Sequence, residues 1–127
     1  MKKLVNTVFY ITLFIFLYMM TTLALNDWDR TKMNFLGYSP HMVMSQSMNP
    51  TLLTGDFVLA KQIKFEDVQV GDIVIYKHTY EDGVERAIVH RVIEKTEDYL
   101  IFQGDNNLSP DPWKVYPEDV RAKVLFH

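Results

Sequence analysis

Residues 55–76 read G-D-F-V-L-A-K-Q-I-K-F-E-D-V-Q-V-G-D-I-V-I-Y, and the two ends of this stretch are near copies of each other. Gly55-Asp56 launches Phe57-Val58-Leu59-Ala60, and sixteen residues later Gly71-Asp72 launches Ile73-Val74-Ile75-Tyr76. Each unit is a turn pair followed by a short β-branched and aromatic run, the pattern of a strand entered from a tight turn. Two strands of one sheet are therefore expected, joined by the more polar Lys61–Gln69.

The same reading extends towards the C-terminus. Glu81-Asp82-Gly83 is a hairpin signal. After it, Arg86–Glu94 reads R-A-I-V-H-R-V-I-E. Alternation puts Ile88, His90, Val92 and Glu94 on one face and Ala87, Val89, Arg91 and Ile93 on the other. Tyr99–Gln103 is the next strand, Gly104-Asp105-Asn106-Asn107 a tight turn, and Leu108–Trp113 a rigid loop with prolines on both sides of Asp111. Val120–Phe126 supplies a last strand. No useful helical period appears beyond residue 26. The expected fold is all-β: a small, hairpin-built, partly closed and barrel-like domain of five or six strands, since closure removes exposed edges.

That domain sits behind one N-terminal transmembrane helix. Leu4–Leu25 carries no charge. As a helix it spans roughly 33 Å at about 1.5 Å per residue, which matches a bilayer core of about 30 Å. Its threonines are tolerable in lipid because their hydroxyls can bond back to the helix backbone. Lys2 and Lys3 precede the segment, and Asp27, Asp29, Arg30 and Lys32 follow it without positive excess. The positive-inside rule then places the N-terminus in the cytoplasm and the rest outside. Two rivals are a cleaved secretory signal, for which Thr22-Leu23-Ala24 is a poor site, and a core helix, which so small a domain would hardly enclose. The organisation is read as an anchor over 1–25, a juxtamembrane connector over 26–37 and an extracytoplasmic β-rich domain over 38–127. In the connector Trp28, Met33, Phe35 and Leu36 suit a headgroup surface.

Composition narrows the chemistry. The 127 residues leave room for one ordinary domain. The net charge is −3, from 13 basic and 16 acidic residues without a basic cluster, which argues against a nucleic-acid partner. With no cysteine there is no disulfide framework, thiol nucleophile or Cys-ligated metal.

The stretch Ser39–Asp56, S-P-H-M-V-M-S-Q-S-M-N-P-T-L-L-T-G-D, mixes apolar residues with a polar cluster. Pro50 biases Asn49 towards an extended or turn conformation. Ser47 therefore belongs at a strand end or turn, where a hydroxyl can be exposed. Most serines in such contexts are turn residues, and one becomes a nucleophile only with a base in reach. Histidine is the natural base, with a reference pKa of about 6.5. His127 is terminal, His78 lies in a polar hairpin arm, and His41 sits six residues before Ser47 on a strand that runs away from it. His90 remains as the candidate base, against the ordinary reading of a partly buried sheet histidine. Asp105 and Asp111 are the nearby carboxylates for orienting it. His90, Asp105 and Asp111 also make a possible ligand set, but their spacing matches no metal motif. Neither metal nor cofactor is expected.

The chain resembles a type I signal peptidase of the endoplasmic-reticulum kind, also found in archaea and spore-forming bacteria. Ser45-Gln46-Ser47-Met48-Asn49-Pro50-Thr51 resembles the family's S-G-S-M-x-P-T nucleophile block. Gly55-Asp56-Phe57-Val58 and Gly71-Asp72-Ile73-Val74 resemble its next two strand blocks. Ile88-Val89-His90-Arg91-Val92 is similar to the block that holds the base, and Gly104-Asp105-Asn106-Asn107 with Asp111 to the last block. The match covers about residues 38–126, in order, with an anchor in the expected place.

The resemblance implies a membrane-bound serine endopeptidase that removes N-terminal signal peptides from secreted precursors, cutting after small residues. It implies Ser47 as nucleophile and His90 as general base, where most bacterial and organellar members have lysine. Asp111 would orient His90, with Asp105 as support or substitute. The oxyanion would be held by the Ser47 backbone N–H, with the Ser45 hydroxyl as a further candidate. Substrate would add as a strand beside Met42–Met44, in a groove of Met42, Val43, Met44 and Met48. The implied partners are signal-peptide-bearing precursors and the bilayer. Two departures stand out. Gln46 replaces a glycine, and the chain ends at His127, where many relatives carry a further apolar segment, so it reads as minimal or truncated. Alternatives are an inactive or regulatory relative, and a membrane-tethered β-domain that binds a partner. The latter requires Ser47 and His90 to lie far apart, or His90 to be fully buried. A Ser–Lys protease would use Lys77 or Lys95 instead.

Overall fold

The computed structural model describes residues 1–25 and 36–126. Residues 26–35 of the expected connector, with Trp28, Met33 and Phe35, lie outside the described residues, as does His127.

Helix α1 runs over Lys2–Leu25. Its Lys2–Thr21 portion has a mean hydropathy of 1.8, enough by length and composition to cross a membrane. Its large apolar side chains from Leu4 to Met20 are exposed, as in a helix solvated by lipid rather than one inside a core. The threonine hydroxyls bond back as their chemistry suggests. Thr7 donates to the Lys3 carbonyl, Thr12 to Val8 and Thr21 to Tyr18, each at 2.9 Å.

The remaining described residues form a six-stranded antiparallel sheet: β1 (Tyr38–Met42), β2 (Phe57–Gln62), β3 (Ile73–Thr79), β4 (Glu85–Lys95), β5 (Leu100–Gln103) and β6 (Val120–Phe126). The spatial order is β1-β2-β6-β3-β4-β5. The expected strands are present, and the sheet does not close: β1 and β5 are its edges. Pro40 in β1 lacks a donor, which an edge position tolerates. Along β5, Leu100 exchanges two backbone bonds with Val115, at 2.9 and 3.0 Å, and the edge is partly covered.

The two Gly-Asp units owe their likeness to one turn chemistry. Gly55 and Gly71 have φ of 93° and 96°, values that favour glycine. The carboxylate of the next residue then accepts the amide three positions back: Asp56 from Leu53 at 2.9 Å, Asp72 from Gln69 at 3.0 Å. The unit repeats because the same turn is built twice.

Burial explains why β3 reads as a continuous apolar run. Val74 and Tyr76 enter one core with Phe65, Val68, Val92, Leu100 and Phe102. Ile75 points the other way, into a second core with Val43, Met48, Leu52, Val58 and Val124. A strand buried on both faces has no polar side to alternate with. Where β3 pairs with β6, the register shifts between Ile75 and Tyr76, and Val120 joins the first core while Ala122 joins the second.

Candidate active site

The register of β3 and β4 pairs Val74 with His90 and Tyr76 with Ile88. Directly opposed residues share a face, so Tyr76 and His90 are diagonal neighbours over the first core. His90 is nearly enclosed, at 7% exposure. Asp111 reaches it from the proline-flanked loop after β5, whose backbone is pinned by the Asp111 amide donating to the Phe102 carbonyl at 2.8 Å. Ser47 lies in the turn between β1 and β2, half-buried.

These three side chains meet. Ser47 Oγ is 3.0 Å from His90 Nε2, and His90 Nδ1 is 2.7 Å from Asp111 Oδ2. The same Asp111 oxygen accepts from the Tyr76 hydroxyl at 2.6 Å, and the Tyr76 oxygen accepts from Trp113 Nε1 at 3.2 Å. Ser45 Oγ is 3.0 Å from Ser47 Oγ.

With His90 neutral, the donor inventory assigns each proton in this line. An indole N–H only donates, so the Tyr76 oxygen accepts from Trp113. Its single hydrogen then goes to Asp111, and a carboxylate only accepts. His90 Nδ1 therefore donates to Asp111, which leaves the Nε2 lone pair facing Ser47 and taking its hydroxyl proton. Ser45 in turn donates to Ser47 Oγ. A neutral His90 ring is thus held in the tautomer whose Nε2 can accept a proton from Ser47.

Asp105 is engaged elsewhere. Its oxygens accept from Arg91 Nε at 2.8 Å and Nη2 at 2.7 Å, and from Thr51 Oγ1 at 2.5 Å. Arg91 also donates to the Gly71 carbonyl at 2.8 Å. This clasp ties the β1–β2 turn to β4 and to the loop after β5. A second tie reaches the serine's own turn: Asn106 donates its backbone N–H to the Ser47 carbonyl at 2.8 Å and its side-chain amide to the Gln46 carbonyl at 3.1 Å. Gly104 makes room for it, since a Cβ there would lie 2.5 Å from the Ser47 oxygen. Gln46, the departure from glycine in the nucleophile block, thus offers its carbonyl to the loop.

The Arg91 guanidinium, and then Thr51, hold the Asp105 carboxyl below the usual carboxylate range, against the opposing pull of burial. A depressed carboxyl contributes stability above its unfolded pKa of about 3.9 and loses it as pH falls through the lower folded value. The stability gap between wild type and Asp105→Asn is therefore expected to be constant from neutrality down to about pH 4 and to shrink below it. Denaturant midpoints across that range check this; a gap that does not change with pH would show that the clasp is not ionic.

Of the four residues expected in the groove, Met42 and Met44 are exposed, whereas Val43 and Met48 are buried in the second core. Met48, at 0% exposure, is closed to any substrate chain. The other described histidines are occupied: His41 Nε2 lies 2.8 Å from Ser39 Oγ, and His78 stacks on Trp113 with ring centroids 3.8 Å apart. The two lysines considered as alternative bases are occupied too. Lys77 pairs with Glu85, and Lys95 donates to the carbonyls of Phe65, Glu66 and Val68. Tyr76, Trp113, Thr51, Arg91 and Asn106 were not singled out as site residues by sequence. Only the alternation along β4, which put His90 on the face of Ile88 and Val92, pointed towards the core beneath His90, and it could not tell which β3 residue lay diagonal to it.

A serine, histidine and aspartate joined in this order on a β-sheet domain are the constellation of serine hydrolases. The family described as "Signal peptidase, peptidase S26" matches residues 1–106, a span that includes Ser47 and His90 and stops short of Asp111. The chain belongs to that family. It is similar to Signal peptidase I W of Bacillus subtilis (strain 168), with 30% identity over 127 residues, 95% of this chain and 65% of the relative. It thus spans about two thirds, and slightly less, of that relative's length. It is also similar to an uncharacterized protein of Methanocaldococcus jannaschii, with 24% identity over 148 aligned positions, 67% of this chain and 73% of the relative.

Proposed function

We propose that this chain is a membrane-bound serine endopeptidase that removes N-terminal signal peptides from secreted precursors, with Ser47 as nucleophile, His90 as general base and Asp111 orienting the base. The observation that carries this is the 3.0 Å approach of Ser47 Oγ to His90 Nε2, with Asp111 on the far ring nitrogen. It also weighs against a partner-binding domain, which needs the two apart.

In the proposed reaction, Ser47 Oγ attacks the scissile carbonyl while His90 Nε2 takes its proton. The Ser47 N–H and the Ser45 hydroxyl hold the oxyanion. His90 then protonates the leaving amine, and a water deprotonated by His90 releases the acyl group from Ser47. Substrate adds as a strand at the open edge of β1, beside Met42 and Met44. Small side chains are required at the first and third positions before the cut, as in the family. The exposed Met42, Met44, Leu53 and Phe57 cluster in sequence about the nucleophile turn and suit contact with lipid, where a precursor's own apolar segment ends.

The test is incubation of the full chain, in detergent or vesicles, with a precursor carrying Ala at both small-residue positions. One cut at that site is expected; an intact precursor would leave the inactive-relative reading in its place. Charge asymmetry about α1 supports a cytoplasmic N-terminus and an extracytoplasmic catalytic domain. Protease added to sealed vesicles should digest the β domain only from the extracytoplasmic side. Digestion from the cytoplasmic side alone reverses the orientation.

A further inference from the structure

We propose that Tyr76 is a positioning residue of this site, its phenol, backed by Trp113, holding Asp111 Oδ2 turned onto His90 Nδ1. The inference deepens the peptidase reading and rests on it for its kinetic consequence.

Tyr76 is the largest side chain in the first core and is fully buried. A phenylalanine would fill that core equally well, and a buried phenol needs a partner. Tyr76 has two, and both belong to the catalytic line: it donates to Asp111 at 2.6 Å and accepts from Trp113 at 3.2 Å. Its ring leans on Phe102, centroids 4.4 Å apart, and Phe102 also supplies the carbonyl that receives the Asp111 amide. One strand and one loop thus hold both ends of Asp111.

Trp113 gives the arrangement its direction. Because the indole N–H occupies a lone pair of the phenol oxygen, the phenol hydrogen points to Asp111. The Trp113 ring is itself fixed by stacking on His78 and by an edge contact with Tyr80. Burial first, and then the Asp111 carboxylate, push the Tyr76 hydroxyl well above its ordinary range, so it remains a donor at every pH of interest.

Two consequences follow for catalysis. The phenol fixes the carboxylate rotamer, so that Asp111 does not swing to water. Held there, the carboxylate stabilises the imidazolium that forms when Ser47 gives up its proton. The ionisable groups facing His90 are Asp111 from the loop, Tyr76 from β3 and Ser47 from the β1–β2 turn, with the Arg91–Asp105 pair beside them. Removing the phenol changes only one of these.

Tyr76→Phe deletes the hydroxyl and keeps the ring. In the full chain, kcat is expected to fall roughly 10- to 150-fold, the range for a hydrogen bond to a charged group. KM is expected to stay, since Tyr76 cannot touch substrate. By NMR in detergent, the His90 ring is expected to titrate at lower pH in the variant than in wild type, because a carboxylate that swings to water no longer favours the imidazolium. A folded Tyr76→Phe protein with wild-type kcat overturns the proposal. So does a fall in kcat with an unmoved His90 titration, which marks a merely structural residue. Should Tyr76→Phe not fold, Trp113→Phe carries the test, with a smaller loss and a titration shift of the same sign expected; no shift overturns the proposal. The titration needs no substrate. If wild type cleaves no precursor while the variant moves the His90 titration, the peptidase reading fails and the positioning role stands.

Discussion

Ser47→Ala and His90→Ala are each expected to abolish precursor cleavage, with losses on the order of 10⁶ in kcat, as in triads where nucleophile and base act as one unit. The physical reason is that neither group works alone. A serine hydroxyl stays protonated near neutrality and is a poor nucleophile without a base. In the proposed reaction His90 Nε2 is that base, 3.0 Å from Ser47 Oγ. Remove the hydroxyl, and the base has nothing to deprotonate but water; remove the imidazole, and the hydroxyl keeps its proton. The double variant should therefore be no worse than either single one. Additive losses would mean that the two residues act independently. Wild-type cleavage by a well-folded His90→Ala protein would end the Ser–His reading. The lysines offer no ready replacement, since Lys77 pairs with Glu85 and Lys95 is held by three carbonyls.

Asp111→Asn is expected to cut kcat by about 10⁴ while the fold persists, the size of loss seen when an orienting carboxylate becomes an amide. At Asp111 the geometry is unforgiving. One carboxylate oxygen receives both His90 Nδ1 and the Tyr76 hydroxyl. An asparagine that presents its oxygen there loses the negative charge that stabilises the imidazolium. One that presents its NH₂ opposes a donor to two donors and drives His90 to the wrong tautomer. Asp105→Asn is expected to affect stability more than kcat, because its carboxylate serves Arg91 and Thr51. Precursor cleavage by both single variants and the double one decides the division of labour. Full activity in all three would remove the loop after β5 from catalysis. A larger kcat loss in Asp105→Asn than in Asp111→Asn would exchange their roles.

Much of this was readable in order along the chain. The Gly-Asp turns announced strands because φ near 90° and a carboxylate cap are local demands, met within four residues. Alternation in β4 put His90 on the same face as Val92, since a strand's side-chain period needs no tertiary information. The length and apolarity of α1 and the back-bonding of its threonines are likewise local. Val43 and Met48 were a different matter. Apolar residues near a nucleophile suit a groove and a core equally well, and only packing put these two into the second core while Met42 and Met44 stayed exposed.

The carboxylates mark the boundary most clearly. From sequence, Asp105 and Asp111 are six residues apart in one loop, both able to reach a histidine. What separates them is the Arg91 fork on one side and the Tyr76 phenol on the other, both brought by strands that pair with residues far away in the chain. The sequence by itself determined the apolar N-terminal helix, the strand pattern and the family, and marked Ser47 and His90 as candidates, because each depends on periodicity, turn chemistry or contiguous motifs. The tertiary structure alone decided which aspartate faces His90, which ring nitrogen faces Ser47 and what stands behind Asp111. Those are set by strand register and side-chain packing between residues 14 to 43 apart in the chain, from the Arg91–Asp105 pair to the Ser47–His90 contact, and no local pattern encodes them.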